Sequence, residues 1–337
     1  PNNYLSKFTS DLEIEDLRVR LTTAHGPVDA VRGISFTLQA GETAGLVGES
    51  GCGKSLTAMS LMGLGPEQAR IRGTVRFLGT EMTTLTERQW CAIRGKKIGM
   101  IFQEPMSALN PVHTVGHQIA EPLRLHMGLD RHAARKRAIE LLDRVGIAHA
   151  SRRVDAWPHQ FSGGQRQRIT IAMALACEPC LLIADEPTTA LDVTVAGQIL
   201  ELIGELGRER HRALLMISHD LGVIANHVER TMVMYAGTIV ESGPTAAVFR
   251  APSHPYTQGL MGSRPQLSRN GATTPGARKR LPAIAGFVPR LHDLPEGCAF
   301  APRCPRATDQ CAAAPPPVWS REDHHRVACI HRSSANP

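Results

Sequence analysis

The stretch Gly48-Glu49-Ser50-Gly51-Cys52-Gly53-Lys54-Ser55 constrains this chain more than any other. It fits the phosphate-binding loop pattern G-x-x-x-x-G-K-[ST] without a gap. The apolar run Ala44-Gly45-Leu46-Val47 before it reads as a buried strand, and Ser55 to Met62 after it reads as a helix. In that setting backbone N–H groups of the loop and the helix N-terminus converge on phosphate oxygens. Lys54 adds a positive charge for the β- and γ-phosphates, and the Ser55 hydroxyl is a candidate Mg²⁺ ligand. The loop residues Gly48 to Ser55, with Leu56 beyond them, are the candidate nucleotide-binding set. The glycines allow the backbone to approach phosphate with no Cβ in the way.

A chain of 337 residues has room for two domains, or one large domain and an appendage. With 42% hydrophobic but only 4% aromatic residues, its core is mostly aliphatic. No run reaches the roughly 18 apolar residues of a membrane span. Residues Pro1 to Ser10 hold no apolar signal segment. The expectation is a soluble chain whose membrane role, if any, is peripheral. The net charge is +7, and residues 264–337 carry 11 Arg and Lys against 5 Asp and Glu. Such a tail could meet nucleic acid or an anionic surface, although a solvated basic face is the commoner reading.

The chain alternates strands and helices, which implies an α/β fold with a mainly parallel sheet. Leu12, Ile14, Leu17, Val19 and Leu21 alternate with one phase slip at Asp16; Ile34, Phe36 and Leu38 continue the pattern. These are expected as antiparallel strands. Further strands are expected at Gly73–Gly79, Lys97–Gln103, Leu181–Ala184 and Ala213–Ile217, and a hairpin at Met232–Val240. Helical spacing covers Arg131 to Val145, Ile169 to Ala176, and Val195 to Leu206. From about Ala251 periodicity fades while Pro, Gly and Cys rise, so 251–280 reads as a linker and 281–337 as a small domain with little core of its own.

The strand at Leu181–Ala184 ends on Asp185-Glu186, about 130 residues after the glycine-rich loop. A carboxylate at the end of a parallel strand can reach a Mg²⁺ held near Ser55, which assigns that part to Asp185. Glu186 is then placed to orient or deprotonate an attacking water.

Together with these residues, Gln103, Ser162-Gly163-Gly164-Gln165, Ala190-Leu191-Asp192 and His219 stand in the order found in ATP-binding-cassette (ABC) ATPases. The chain resembles that family from about Leu12 to Arg250. The resemblance implies a RecA-like P-loop NTPase core with an antiparallel β subdomain and an α-helical subdomain at about 104–177. It implies that Gln103 contacts Mg²⁺ or the water, and that His219 steadies the γ-phosphate. Ser162, Gly163, Gly164 and Gln165 would contact the ATP of a partner subunit, and Asp192 would couple the two sites. One departure concerns the aromatic residue that stacks on adenine in the family. Leu21 stands at its expected position, with His25 as a possible substitute.

The tail narrows the resemblance. His254-Pro255-Tyr256-Thr257, Leu281 to Gly286, Gly297-Cys298-Ala299-Phe300, Arg303-Cys304, Cys311 and Ala328-Cys329 look like the tail of dipeptide, oligopeptide and nickel importer ATPases. Gln103 to Pro111 is also similar to that branch. Cys298, Cys304, Cys311 and Cys329 have the spacing C-x5-C-x6-C-x17-C, unlike the paired C-x2-C of a zinc ribbon. Four thiolates on irregular loops suit a [4Fe–4S] cluster, and tails of this branch are associated with one. Zinc and free or oxidised thiols are the alternatives. Cys177-Glu178-Pro179-Cys180 reads as structural, despite its C-x-x-C form.

The resemblance implies an ATP- and Mg²⁺-dependent ATPase on the cytoplasmic face of the membrane that powers import of peptides, or of nickel chelates or another small solute. Implied partners are a second, related ATPase subunit, two transmembrane permeases and an extracytoplasmic substrate-binding protein. The different-class alternative is a soluble ABC ATPase acting on nucleic acid. Against it stand the single cassette and the lack of a coiled coil or an aromatic-interleaved basic patch.

Overall fold

The computed structural model describes residues 12–104, 108–189, 191–208, 212–263, 283–321 and 324–331. Strands β1 (Leu12–Thr23), β2 (Gly26–Leu38), β4 (Arg70–Phe77) and β5 (Thr80–Glu81) form an antiparallel sheet in the order β2-β1-β4-β5. The phase slip at Asp16 is a β-bulge. The register shifts between Ile14 and Leu17, Asp16 adopts φ 48°, and its N–H donates to Ser35 Oγ at 2.9 Å. The extra residue keeps Leu12, Ile14, Leu17 and Val19 all in the core.

The larger sheet holds β3 (Thr43–Val47), β6 (Ile98–Ile101), β7 (Leu181–Asp185), β8 (Ala213–Ser218), β9 (Arg230–Tyr235), β10 (Thr238–Pro244), β11 (Val318–Ser320) and β12 (Arg326–Ala328). Their order is β11-β12-β10-β9-β3-β8-β7-β6. The strands from β9 to β6 run parallel, whereas β10, β12 and β11 join antiparallel. Every residue of β3, β7 and β8 is buried, as expected of parallel strands covered on both faces. Successive residues point to opposite faces. Leu181 and Ile183 therefore meet the core beneath the antiparallel sheet, while Leu182 and Ala184 meet the helices.

Helix α1 (Lys54–Leu61) follows the glycine-rich loop, and α2 (Glu87–Ile93) precedes β6. Between β6 and β7 lie α3 (Val115–Met127), α4 (Arg131–Arg144), α5 (Ala150–Arg153) and α6 (Gly163–Ala174). Thr114 and Asp130 cap α3 and α4 by accepting from the N–H groups of His117 and Ala133. Helices α7 (Val193–Arg208), α8 (Leu221–His227) and α9 (Thr245–Arg250) complete the layer over the sheet. Among the described residues, no helix is long and apolar enough to cross a membrane.

The stretch expected as a linker begins differently: Pro255–Gly262 forms helix α10, with His254 as its N-cap. Its remainder from 264 lies outside the described residues. Farther on come α11 (Asp309–Ala313) and the β11–β12 hairpin. The hairpin continues the main sheet, because β12 pairs with β10 at Val327 opposite Glu241 and Arg326 opposite Ser242. Phe300 is buried in the same cluster as Tyr235 and Tyr256. The tail's apolar side chains thus join the core of the preceding residues rather than forming a separate one. Glu241, buried at this junction, accepts from the N–H groups of Ser253 (2.6 Å) and His254 (3.0 Å) and pairs with His325 Nε2 (2.7 Å).

Candidate nucleotide-binding site

The strand order puts the chemistry on one edge. Strands β3, β8, β7 and β6 are parallel neighbours, so their C-terminal ends lie side by side. The glycine-rich loop leaves β3, His219 follows β8, Asp185 ends β7 with Glu186 next, and Gln103 lies just past β6. In open α/β sheets this is where ligands bind.

The loop is drawn tight by its own residues. Lys54, almost fully buried, donates from Nζ to the carbonyls of Gly48 (2.9 Å) and Glu49 (3.1 Å). Gly53, at φ 105°, turns the chain into α1. Gly48 is required by proximity: a Cβ there would lie 2.1 Å from the Met234 carbonyl oxygen. Cys52 is buried behind the loop, and burial pushes its thiol pKa up. Its carbonyl accepts from Gly237 N–H at 2.9 Å, which ties the loop to the β9–β10 turn. Ser50 and Gly51 are exposed, while Glu49, Ser55 and Leu56 are half-buried.

Ser55 Oγ donates to Asp185 Oδ1 at 3.1 Å, so two of the three candidate Mg²⁺ ligands meet. Burial raises the Asp185 pKa, and the Ser55 hydrogen bond opposes it. Beside them, Glu186 Oε2 gathers three partners. Gln103 Nε2 donates to it at 3.1 Å, Thr189 Oγ1 donates at 3.3 Å, and His219 Nδ1 lies at 3.1 Å. Glu186 adopts φ 45°, and its N–H donates to the Ile217 carbonyl at 2.9 Å. A carboxylate so placed can accept a proton from a water at the loop's mouth.

The family model described as "ABC transporter" matches residues 31–189, and that described as "Oligopeptide/dipeptide transporter, C-terminal region" matches residues 240–311. A putative peptide import ATP-binding protein of Brucella abortus is 49% identical over 328 residues, covering 95% of this chain and 96% of the relative. The chain belongs to the ABC transporter ATP-binding family. The oligopeptide transport ATP-binding protein OppD of Salmonella typhimurium is 50% identical, over 90% of this chain and 89% of that one. The dipeptide transport ATP-binding protein DppD of Bacillus subtilis is 48% identical, over 94% and 93%. Among solved structures, the ATP-binding cassette MJ0796, in a dimeric post-hydrolysis state bound to ADP and Pi, is similar with a TM-score of 0.63. It is 27% identical and covers 69% of this chain and 98% of that one.

The residues expected as the signature motif, Ser162 to Gln165, open α6. Ser162 is the N-cap. Its Oγ accepts from Gln165 N–H (3.3 Å), and Gln165 Oε1 accepts from Ser162 N–H (3.2 Å). This capping box leaves Gly163 and Gly164 as the first helical residues, with the positive end of the helix dipole beside them. Arg153 reinforces the turn by stacking 4.0 Å over Phe161. Asp192 is exposed and caps α7 by accepting from Val195 N–H at 3.0 Å. Leu21 lies in β1 opposite Val28. His25, in the β1–β2 turn, has its ring 5.6 Å from that of His292. Cys177 and Cys180 contact the carbonyls of Pro122 and Lys97, each at 3.4 Å, and are not paired with one another.

Cys298, Cys304, Cys311 and Cys329 line one cavity of about 130 Å³, walled by Pro315, Pro316 and Pro317. Burial raises the thiol pKa of Cys298, Cys304 and Cys329, the last to about 11. Among the described residues, no three His, Cys, Asp or Glu side chains are grouped to hold a metal ion.

Two residues beside the loop have no forecast role. Tyr256 Oη accepts from Glu49 N–H at 2.9 Å, and Arg303 pairs with the Glu49 carboxylate. The tail motif His254-Pro255-Tyr256 and the pair Arg303-Cys304 are visible in the sequence. Their contact with position 49 is not, because they lie 207 and 254 positions away along the chain.

Proposed function

We propose that this ABC cassette binds and hydrolyses ATP to drive import of peptides through transmembrane permeases, acting at the cytoplasmic membrane face with an external binding protein. The observation carrying this reading is the meeting of Gln103, Glu186 and His219 next to the Ser55–Asp185 pair, in a chain 49% identical to peptide import ATP-binding proteins. Lys54 would contact the β- and γ-phosphates. Ser55, Asp185 and Gln103 would hold Mg²⁺, which when bound supplies positive charge to the phosphate oxygens. Glu186 would take the proton of the attacking water as it joins the γ-phosphorus and the bond to ADP breaks. His219 would hold the γ-phosphate and orient that water.

Ser162 to Gln165 would complete the site of a second cassette rather than their own. The dipole at the start of α6 suits phosphate. Asp192 would link the two sites. The partner cassette is a related subunit in this reading, and ATP closes the pair. Reconstituting the chain with candidate permeases in vesicles tests it. Peptide uptake that requires ATP supports the proposal, whereas ATP hydrolysis with no peptide uptake overturns the cargo.

The tail's four cysteines are proposed to hold a [4Fe–4S] cluster. Support comes from the four thiols that line one cavity, whose wall also holds His254 and His331 but no carboxylate. Bound iron would keep the thiols as thiolates despite burial and staple the tail. Anaerobic purification tests the idea: iron and sulfide in equal amounts support it, and a colourless protein without them overturns it.

A further inference from the structure

Glu49, the second residue of the phosphate-binding loop, is gripped on all sides. Its carbonyl accepts from Lys54 Nζ, and its N–H donates to Tyr256 Oη. Its carboxylate takes a two-pronged pair from Arg303, Nη1 to Oε2 at 2.6 Å and Nη2 to Oε1 at 3.0 Å. Two of these three grips come from beyond residue 250.

Both outside partners are rigidly mounted. Tyr256 is fully buried, with its ring 4.6 Å from that of Tyr235 and 5.4 Å from that of Phe300. The Arg303 side chain is only 4% exposed. Its Nε donates to the Ala285 carbonyl at 3.0 Å, and Nη1 donates to Tyr235 Oη at 3.4 Å. Paired guanidinium and carboxylate forks fix orientation as well as distance. An arginine buried so deeply and bonded so fully has no freedom to follow the loop, so the loop is held to it.

Charge gives the contact its purpose. A loop that gathers N–H groups around phosphate is weakened by a carboxylate within it, since the negative charge opposes the anion. Arg303 neutralises that charge and pulls the Glu49 side chain toward the tail.

We propose that Arg303 and Tyr256 are positioning residues of the nucleotide site, through which the tail segment sets the loop's affinity for MgATP. Arg303 is followed directly by Cys304, on the cavity lined by the four cysteines. Arg303 thus joins that cavity to the loop, alongside Tyr256, whose neighbour Phe300 also lines it.

The inference rests on nucleotide binding at Gly48–Ser55, which the wild-type protein tests separately by its own saturation with MgATP. The experiment measures KM for ATP and kcat of the full chain assembled with its permeases. Arg303→Met should raise KM about fivefold or more while kcat changes less than about twofold. Adding Glu49→Gln should bring the double variant's KM back to within about twofold of Glu49→Gln alone, because no uncompensated carboxylate is left. A purely structural arginine would show no such rescue. Tyr256→Phe, which removes only the hydroxyl acceptor, should raise KM about twofold to threefold. If Arg303→Met does not fold, Arg303→Lys, which keeps the charge without the fork, takes its place with an expected rise of about twofold. Wild-type KM in both the arginine variant and Tyr256→Phe overturns the proposal. So does an arginine effect that persists undiminished beside Glu49→Gln.

Discussion

Gln103 Nε2 donates to Glu186 Oε2 at 3.1 Å, joining residues 83 apart in sequence across the ends of neighbouring strands β6 and β7. The same oxygen faces His219 from β8. The proposed base is thus held from both sides by neighbouring strand ends.

Glu186→Gln keeps the shape and removes the basic oxygen. General-base removal typically costs about 10²–10⁴-fold in rate. The variant should bind MgATP, hydrolyse it at least about a hundredfold more slowly, and remain in the closed dimer. Single-turnover hydrolysis with size analysis reads both effects. Near wild-type turnover would refute the role of Glu186.

Asp185 is buried, and burial raises its pKa in the folded chain. A raised pKa means that ionisation opposes folding: this stability contribution is present at low pH and is lost as pH rises through the folded value. Asp185→Asn removes the charge and keeps an oxygen for Ser55. The nucleotide-free variant should therefore melt slightly higher at neutral pH, on the order of 1–3 °C, while ATPase activity collapses. A lower Tm would contradict the account.

Gly48→Ala should displace the loop from β9, because the new methyl would meet the Met234 carbonyl at 2.1 Å. The expected loss is about 1–3 kcal/mol with impaired nucleotide binding, read by denaturation and equilibrium binding. Gly197→Ala is the control. That glycine lies exposed within α7 with nothing near its would-be Cβ, so the change should be neutral or stabilise by about 1 kcal/mol.

His254 is buried, which lowers its pKa to about 4, and its Nδ1 accepts from Tyr256 N–H at 3.0 Å. A histidine in the unfolded chain titrates near 6.5. The unfolded state thus binds more protons between these values, and stability falls as pH drops from about 6.5 to about 4. His254→Asn keeps a capping acceptor without titrating. Urea midpoints at pH 7 and pH 5 should differ less in the variant than in the wild type; an equal difference would exclude His254 as the source.

Some of this was legible in the residues. The Asp16 bulge shows as a broken alternation, since a two-residue period must slip when one residue is added. Asp185 and Glu186 are marked by the all-apolar run they terminate. Other features leave weaker traces. Helix α6 opens at Ser162-Gly163-Gly164, ahead of the apolar spacing that begins at Ile169, because the capping box outweighs the low helix propensity of two glycines. Helix α10 hides in eight residues holding Pro255, Gly259 and Gly262. Strand β12 is three residues long, too short for a period. The Arg303–Glu49 pair has no local signature, since an arginine that crosses the fold is spelled like one that faces water.

The pairing of β12 with β10 has a consequence for how this chain can be divided. A fragment ending after α9 would strip β10 of its outer neighbour and bare the N–H and C=O groups of Glu241 and Ser242. An unguarded strand edge of that kind recruits strands from other molecules. Glu241 would also lose Ser253, His254 and His325, and stay behind as a charge without a counterpart. The ATP-binding part up to Arg250 is therefore expected to self-associate when shorn of its tail.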